Sequence, residues 1–355
     1  KVRGMTRRLL ASVVALLLVA SGTAPGVRTE RADQAPPRPP TDGGSAVPSS
    51  QPTTETADTG ESGDTGDGVG DVLFPDLGNP GLDVLHYDVD LSYDSITDTI
   101  EGMVGLDAAL TTDRTEITLD AIGLATSEVT VDGRTARAVT DGPELRITLP
   151  EPASAGDEIR IEVAYRAATA ERSSAIGLPN GWFNTIGGSY VLNEPDGART
   201  WMPCNDHPSD KATYTFTISV PRGVTAVANG ALIEQRAEGT RDVWVWQEQR
   251  PMATYLILLL TGDYEVVEST GPGGLPLVSA ILRRDRAEMQ PFLDVTPEMI
   301  EFFEELFGDY PLDGYGIAIT DSFGGLAMET QGRSLFSRDD FPDGQLGAQQ
   351  QLLLA

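Results

Sequence analysis

From Tyr87 to Tyr93 the chain alternates strictly. Tyr87, Val89, Leu91 and Tyr93 are apolar, and Asp88, Asp90 and Ser92 between them are polar. A period of two sends the first set to one face of a strand and the second to the other, so this stretch reads as a half-buried strand. Short runs of similar character follow at EITLDAI, SEVTVDG, ELRITLP, EIRIEVAYRA, YTFTISVP, TAVANGALI and DVWVWQEQ, with Gly, Pro and Asp turns between them. The pattern predicts an all-β domain, a sandwich, over residues 71–270.

Beyond residue 270 the period changes. Met299, Ile300, Phe302, Phe303, Leu306 and Phe307 recur at helical spacing, and Thr296-Pro297-Glu298 reads as an N-cap and first turn. A strand, GYGIAITDSF, comes next, then SFGGLAMETQGRSLFS and a terminal GQLGAQQQLLLA. Residues 271–355 read as the opening part of an α/β domain that ends inside a helix. Within it, Glu329 sits on a predicted strand among small and apolar residues, a carboxylate where a core side chain belongs.

The first residues have another character. Lys1, Arg3, Arg7 and Arg8 precede an apolar run from Leu9 to Ala20 and then small residues, the layout of an export signal over 1–26. The run is 12 residues, against about 20 for a membrane span, so no stable span is expected. Residues 27–70 are rich in Pro, Ser, Thr, Gly and Asp and bury too little apolar surface to offset their ordering entropy, which predicts a disordered tether.

Charge narrows the partners. The 355 residues carry 54 acidic against 25 basic side chains, a formal charge of −29, which repels phosphate backbones and argues against nucleic acid. Cys204 is the one cysteine, so no intrachain disulfide forms and stability rests on a packed core. The glycines of DGVGD and GPGGLP lack the strand-to-helix setting of a nucleotide site. Asp58, Asp64, Asp67 and Asp71 lack the spacing of a calcium loop and read as solvated charges.

The densest candidate chemistry lies in NEPDGARTWMPCNDHPSDKATYTFTISVP, Asn193 to Pro221. Trp201 and Cys204 read as apolar plugs, Asp206, Lys211 and Arg199 as charges that satisfy one another, and Glu194 has no obvious local partner. His86 and His207, 121 positions apart, read as histidines satisfied in their own surroundings.

The run Glu194-Pro195, Ala198-Arg199, Pro203-Cys204, Asp206, Pro208 and Lys211-Ala212-Thr213-Tyr214 resembles the signature of the aminopeptidase N family of zinc metallopeptidases. YDVDLSYDSITDTIEGMV is similar to the first strands of that family's β domain, and FGDYPLDGYGIAITDSFGGLAMET to its strand leading into a G-x-M-E-N motif. The resemblance spans about residues 82–355. It implies a mainly β chain: a saddle-like antiparallel β-sandwich N-terminal domain, followed by the incomplete start of an α/β thermolysin-like catalytic domain. It further implies that Glu194 and Glu329 bind the free α-amino group of a peptide, with Met328, Ala327 and Gly325 along the substrate. Leu326 stands at the motif's first glycine and Thr330 at its asparagine.

The family's zinc is held by H-E-x-x-H on a helix, the glutamate serving as general base. That motif is missing here, so no catalytic residue and no metal ligand is assigned to this chain, and one zinc is expected in a complete protein whose ligand helix follows Ala355. The function implied is a secreted or cell-surface zinc-dependent aminopeptidase. The alternative is a non-catalytic β-sandwich module on a surface tether.

Overall fold

The computed structural model describes residues 68–174, 176–321 and 327–341. The expected export signal, the tether up to residue 67, Gly325 and the terminal helix lie outside them.

The alternation at Tyr87 becomes the centre of an eight-stranded sheet. Its order is Ala231–Glu238, Arg241–Met252, Ala212–Pro221, Leu82–Asp94, Thr99–Leu110, Glu158–Ala168, Ala125–Val131 and Arg134–Thr135. Neighbours are antiparallel except Leu82–Asp94 and Ala212–Pro221, which run parallel with Tyr87 opposite Tyr214 and Leu91 opposite Ile218. Tyr87, Val89, Leu91 and Tyr93 are all buried, while Asp88, Asp90 and Ser92 stay at least partly exposed, the two faces that the period requires. Tyr87 stacks on Tyr214 at 5.0 Å, and Tyr214 on Phe216 at 5.5 Å. His86 lies within this first strand, with Nδ1 2.7 Å from Thr213 Oγ1.

Facing layers complete the mainly β architecture. One sheet has the order Thr225–Ala228, Leu259–Gly262, Gly188–Leu192, Pro179–Asn184, Glu171–Ser173, and a small one joins Arg114–Asp120, Glu144–Ala153 and Arg137–Asp141. TAVANGALI, a single run in sequence, is divided at Asn229-Gly230: Thr225–Ala228 pairs in the five-stranded sheet, Ala231–Glu238 forms the edge of the large one. Gly230 makes that switch with φ +76°, a backbone conformation that disfavours a side chain.

A further sheet has the order Tyr264–Thr270, Pro276–Leu282, Ile317–Thr320, Ser334–Ser337, Ala327–Met328. Pro276–Leu282 and Ile317–Thr320 are parallel, connected by helix α1, Arg286–Phe307. The helix starts ten residues before the expected Thr296. Met289, Phe292, Thr296 and Ile300 are its buried positions, so the packed face continues upstream of the presumed cap. Thr296, interior rather than capping, donates its hydroxyl to the Phe292 carbonyl at 2.8 Å. Ile281, Met289, Phe292, Ile317, Ile319, Phe336 and Phe341 form the core between α1 and the sheet.

Candidate functional site

One short turn organises the site. Thr254–Leu256 is a single 3-10 turn, and four separate segments are fastened to it or to the two residues that follow. Thr254 donates its hydroxyl to Asp206 Oδ1 at 2.5 Å. The Leu256 carbonyl accepts from Asn229 Nδ2 at 3.1 Å and from the Gln331 amide at 3.2 Å. The Ile257 carbonyl accepts from Asn193 Nδ2 at 3.0 Å.

Those fastenings bring the two singled-out glutamates to the same turn. Asn193, just before Glu194, is buried, and its Oδ1 accepts from Trp201 Nε1 at 2.9 Å. On the other side, Asp196 accepts from Asn180 at 2.8 Å and from Arg199 at 2.6 Å. Glu194, between two anchored neighbours, is exposed and joined to Pro195 by a cis peptide. Glu329 follows the two-residue strand Ala327–Met328, which pairs with Leu335 and Phe336. Two residues later, Gln331 takes the Leu256 carbonyl.

Glu329 does not occupy a core position. Met328 is buried and Glu329 exposed, because successive residues of a strand point to opposite faces. Ala327, Met328 and Glu329 border a cavity of about 730 Å³ whose opposite wall is the Met299, Phe303 and Phe307 side of α1. Thr330 is buried, and its hydroxyl bonds the Arg333 carbonyl at 2.5 Å, closing the turn after Glu329.

Partial burial raises the Glu194 pKa, and the charge of Glu329 raises it further. Burial also raises the Tyr255 phenol, followed by the charges of Glu329 and Glu194. Tyr255 therefore faces both. It escaped the sequence reading because MATYLILLL looks like an apolar core run. Among the described residues neither glutamate has a hydrogen-bond donor, so each has spare acceptor capacity turned toward solvent.

Behind them lies a buried polar scaffold. Asp120 Oδ2 accepts from Asn79 Nδ2 and from the Asp206 amide, both at 2.8 Å. The Arg199 amide donates to Asp206 at 3.1 Å, and its guanidinium lies 3.7 Å from Asp120. Burial and then the Asp120 charge push Asp206 up to about 7. Lys211, expected to share in this mutual satisfaction, is exposed and makes no ion pair among the described residues. Trp201 and Cys204 are fully buried plugs.

Known proteins share this fold and sequence pattern. Residues 84–256 match the model of the peptidase M1 N-terminal domain. A leucyl aminopeptidase of Saccharolobus solfataricus is 26% identical over 260 residues, covering 71% of this chain and 31% of the relative. The M1 zinc metallopeptidase of Deinococcus radiodurans superposes with TM-score 0.67 at 29% identity, covering 76% of this chain and 63% of that one. A variant of it bound to a Tyr-Ser-Ala substrate superposes with TM-score 0.66 at 29% identity, covering 75% and 63%.

The matches support an aminopeptidase N-like family member that carries the peptidase M1 N-terminal domain over residues 84–256. The chain spans about a third of the length of the curated relatives it matches. The family's metal finds no fit in the described residues, where no three His, Cys, Asp or Glu side chains are grouped to hold an ion. His86 is engaged with Thr213 and Asp88, and His207 has Nδ1 2.7 Å from Ser209 Oγ. What the described residues offer is two exposed carboxylates, Glu194 and Glu329, on segments fastened to one turn.

Proposed function

We propose that the chain provides substrate recognition for a zinc-dependent aminopeptidase acting outside the cytoplasm on peptides with a free N-terminus. Glu194 and Glu329 receive the α-ammonium group, while the backbone of Ala327 and Met328 runs beside the substrate. The observation that carries this reading is the effect of Glu329 on Glu194. Two exposed carboxylates, one of which raises the ionisation cost of the other and neither of which has a donor among the described residues, are relieved by one cation placed between them. A peptide terminus brings that cation with three N–H donors. The basic, apolar and small-residue succession before Gly26 supports the extracytoplasmic address. No step of hydrolysis is assigned to a residue of this chain.

Charge-assisted hydrogen bonds contribute roughly 1.5 to 3 kcal/mol each, or about 10- to 150-fold in affinity. Titration calorimetry of the full chain with L-alanine amide and with its Nα-acetyl derivative tests the reading. The free amine should bind at least about tenfold more tightly, and Glu329→Gln should abolish the difference. Equal affinities for the two probes in the unaltered chain would sink the amine reading and favour a non-catalytic module.

A further inference from the structure

We propose that Asn229 is a positioning residue that sets the separation of Glu194 and Glu329. It touches neither carboxylate. Its side chain is fully buried at the point where Thr225–Ala228 leaves one sheet and Ala231–Glu238 enters another. From there it makes three hydrogen bonds. Nδ2 donates to the Leu256 carbonyl at 3.1 Å and to the Gln331 carbonyl at 2.9 Å, and Oδ1 accepts from the Leu258 amide at 2.7 Å. One side chain thus ties the turn bearing Tyr255 to the turn that follows Glu329.

The tie is reciprocated from the other side. Arg333 donates to the carbonyls of Ala228 and Gly230, the residues flanking Asn229, and to the Val278 carbonyl at 2.7 Å. Its guanidinium lies over the Trp246 ring, 4.9 Å from the centroid, a contact that holds a planar cation in one orientation. The loop at Asn229 and the turn at Thr330–Arg333 therefore interlock, each side chain bonding the other's backbone. Glu194 reaches the same turn through Asn193 and the Ile257 carbonyl. The spacing of the two carboxylates is the sum of these fastenings, and Asn229 is the member that joins the Glu329 side to the Leu256–Leu258 stretch at three points.

The inference builds on the proposed function only in treating Glu194 and Glu329 as a working pair, and its test needs no ligand. In the full chain with ¹³C-labelled glutamate, the Glu194 carboxyl signal is titrated with and without Glu329→Gln. Burial and Glu329 are what displace Glu194, so removing the second charge should lower its apparent pKa. In Asn229→Ala that drop should shrink to less than half of its size in the unaltered chain. Trp244→Phe, which loses a bond to the Val224 carbonyl and weakens the core elsewhere, should leave the drop unchanged. Asn229→Ser, which keeps one hydroxyl, should be intermediate, and it reads the same cycle if the alanine variant does not fold. A drop of the same size in the asparagine variants as in the unaltered chain would overturn the positioning role. Failure of amine binding in calorimetry would leave this cycle intact, so the two ideas fall separately.

Discussion

Gly230→Ala should be the most damaging small substitution in the switch between the two sheets, and its cost can be assembled from geometry. A Cβ at this position would lie 1.9 Å from the Gln247 carbonyl oxygen, 2.5 Å from its carbon and 2.8 Å from Glu248 Cα. All three are backbone atoms of the neighbouring strand and cannot rotate away. The φ of +76° adds a conformational penalty, roughly 1 to 2 kcal/mol for an L side chain, less about 0.4 to 1 kcal/mol gained from a stiffer unfolded chain. To relieve the overlap, Ala231–Glu238 must part from Arg241–Met252 near the Ala231–Gln247 pair. Losing one or two ladder hydrogen bonds costs about 1 kcal/mol each, and buried groups left unpaired cost more. The sum is a loss of roughly 1 to 4 kcal/mol, toward the upper end where buried groups are left unpaired. Gly223→Ala isolates the conformational part, because Gly223 has φ +87° with nothing within 4 Å of its Cβ position; it should lose only about 1 kcal/mol. Urea denaturation followed by tryptophan fluorescence measures both midpoints. Similar losses in the two variants would show that the sheet edge yields freely and that the steric reasoning is wrong.

Two further outcomes are expected. Burial, with the Asp83 charge adding to it, pushes Asp210 up to about 7 against the pull of the Val84 amide and the Asn205 side chain. Its folded pKa exceeds the unfolded value of about 3.9, so the folded state holds a proton that the unfolded state releases between the two. Its contribution is fully present below the lower pKa and is lost as pH rises through the upper one. Asp210→Asn should flatten the fall of the urea midpoint across that window, and a slope equal to that of the unaltered chain would refute the assignment. Separately, the full chain dialysed into zinc-free buffer should hold less than one zinc per molecule by atomic absorption; a stoichiometric, tightly held ion would mean that residues outside the described set build a site.

The sandwich was legible because its strands obey a local rule. Tyr87 to Tyr93 and Thr213 to Pro221 alternate, and each lies in a strand with one buried face. What the rule cannot supply is which strands meet: the parallel pairing of those two segments joins residues more than a hundred positions apart. Pro179–Asn184 and Gly188–Leu192 carry Gly, Asn and Pro in short strands and gave no period to read, yet that hairpin leads directly to Glu194. The helix began earlier than Thr296 because Thr-Pro is a common start signal that tertiary packing overrode. At the site, Glu329 stood out as a carboxylate in a core position, whereas Met328 takes that position and Glu329 is exposed. Asn229 was hidden because Asn-Gly reads as a plain turn, and its importance lies in contacts with residues 256 and 331.

The acidic residues of the chain divide by how their charge is answered. Asp206 is buried against Asp120, but the Arg199 amide and the Thr254 hydroxyl donate to it and the Arg199 guanidinium is near. Such a carboxylate is a structural member, since its acceptors are used within the fold. Glu194 and Glu329 are treated oppositely. The backbone on either side of Glu194 is anchored by Asn193 and Asp196, and the turn after Glu329 by Asn229 and Arg333, so neither segment is free to drift from the other. Yet their own oxygens are left without a donor among the described residues. Holding two like charges together on rigid supports costs folding energy that a flexible surface would relax away. Under the proposed function that cost would be recovered by a cation with several N–H donors, because the supports need not reorganise to receive it. The rigidity behind the glutamates, more than their charge, therefore separates this pair from the other exposed carboxylates of an acidic chain.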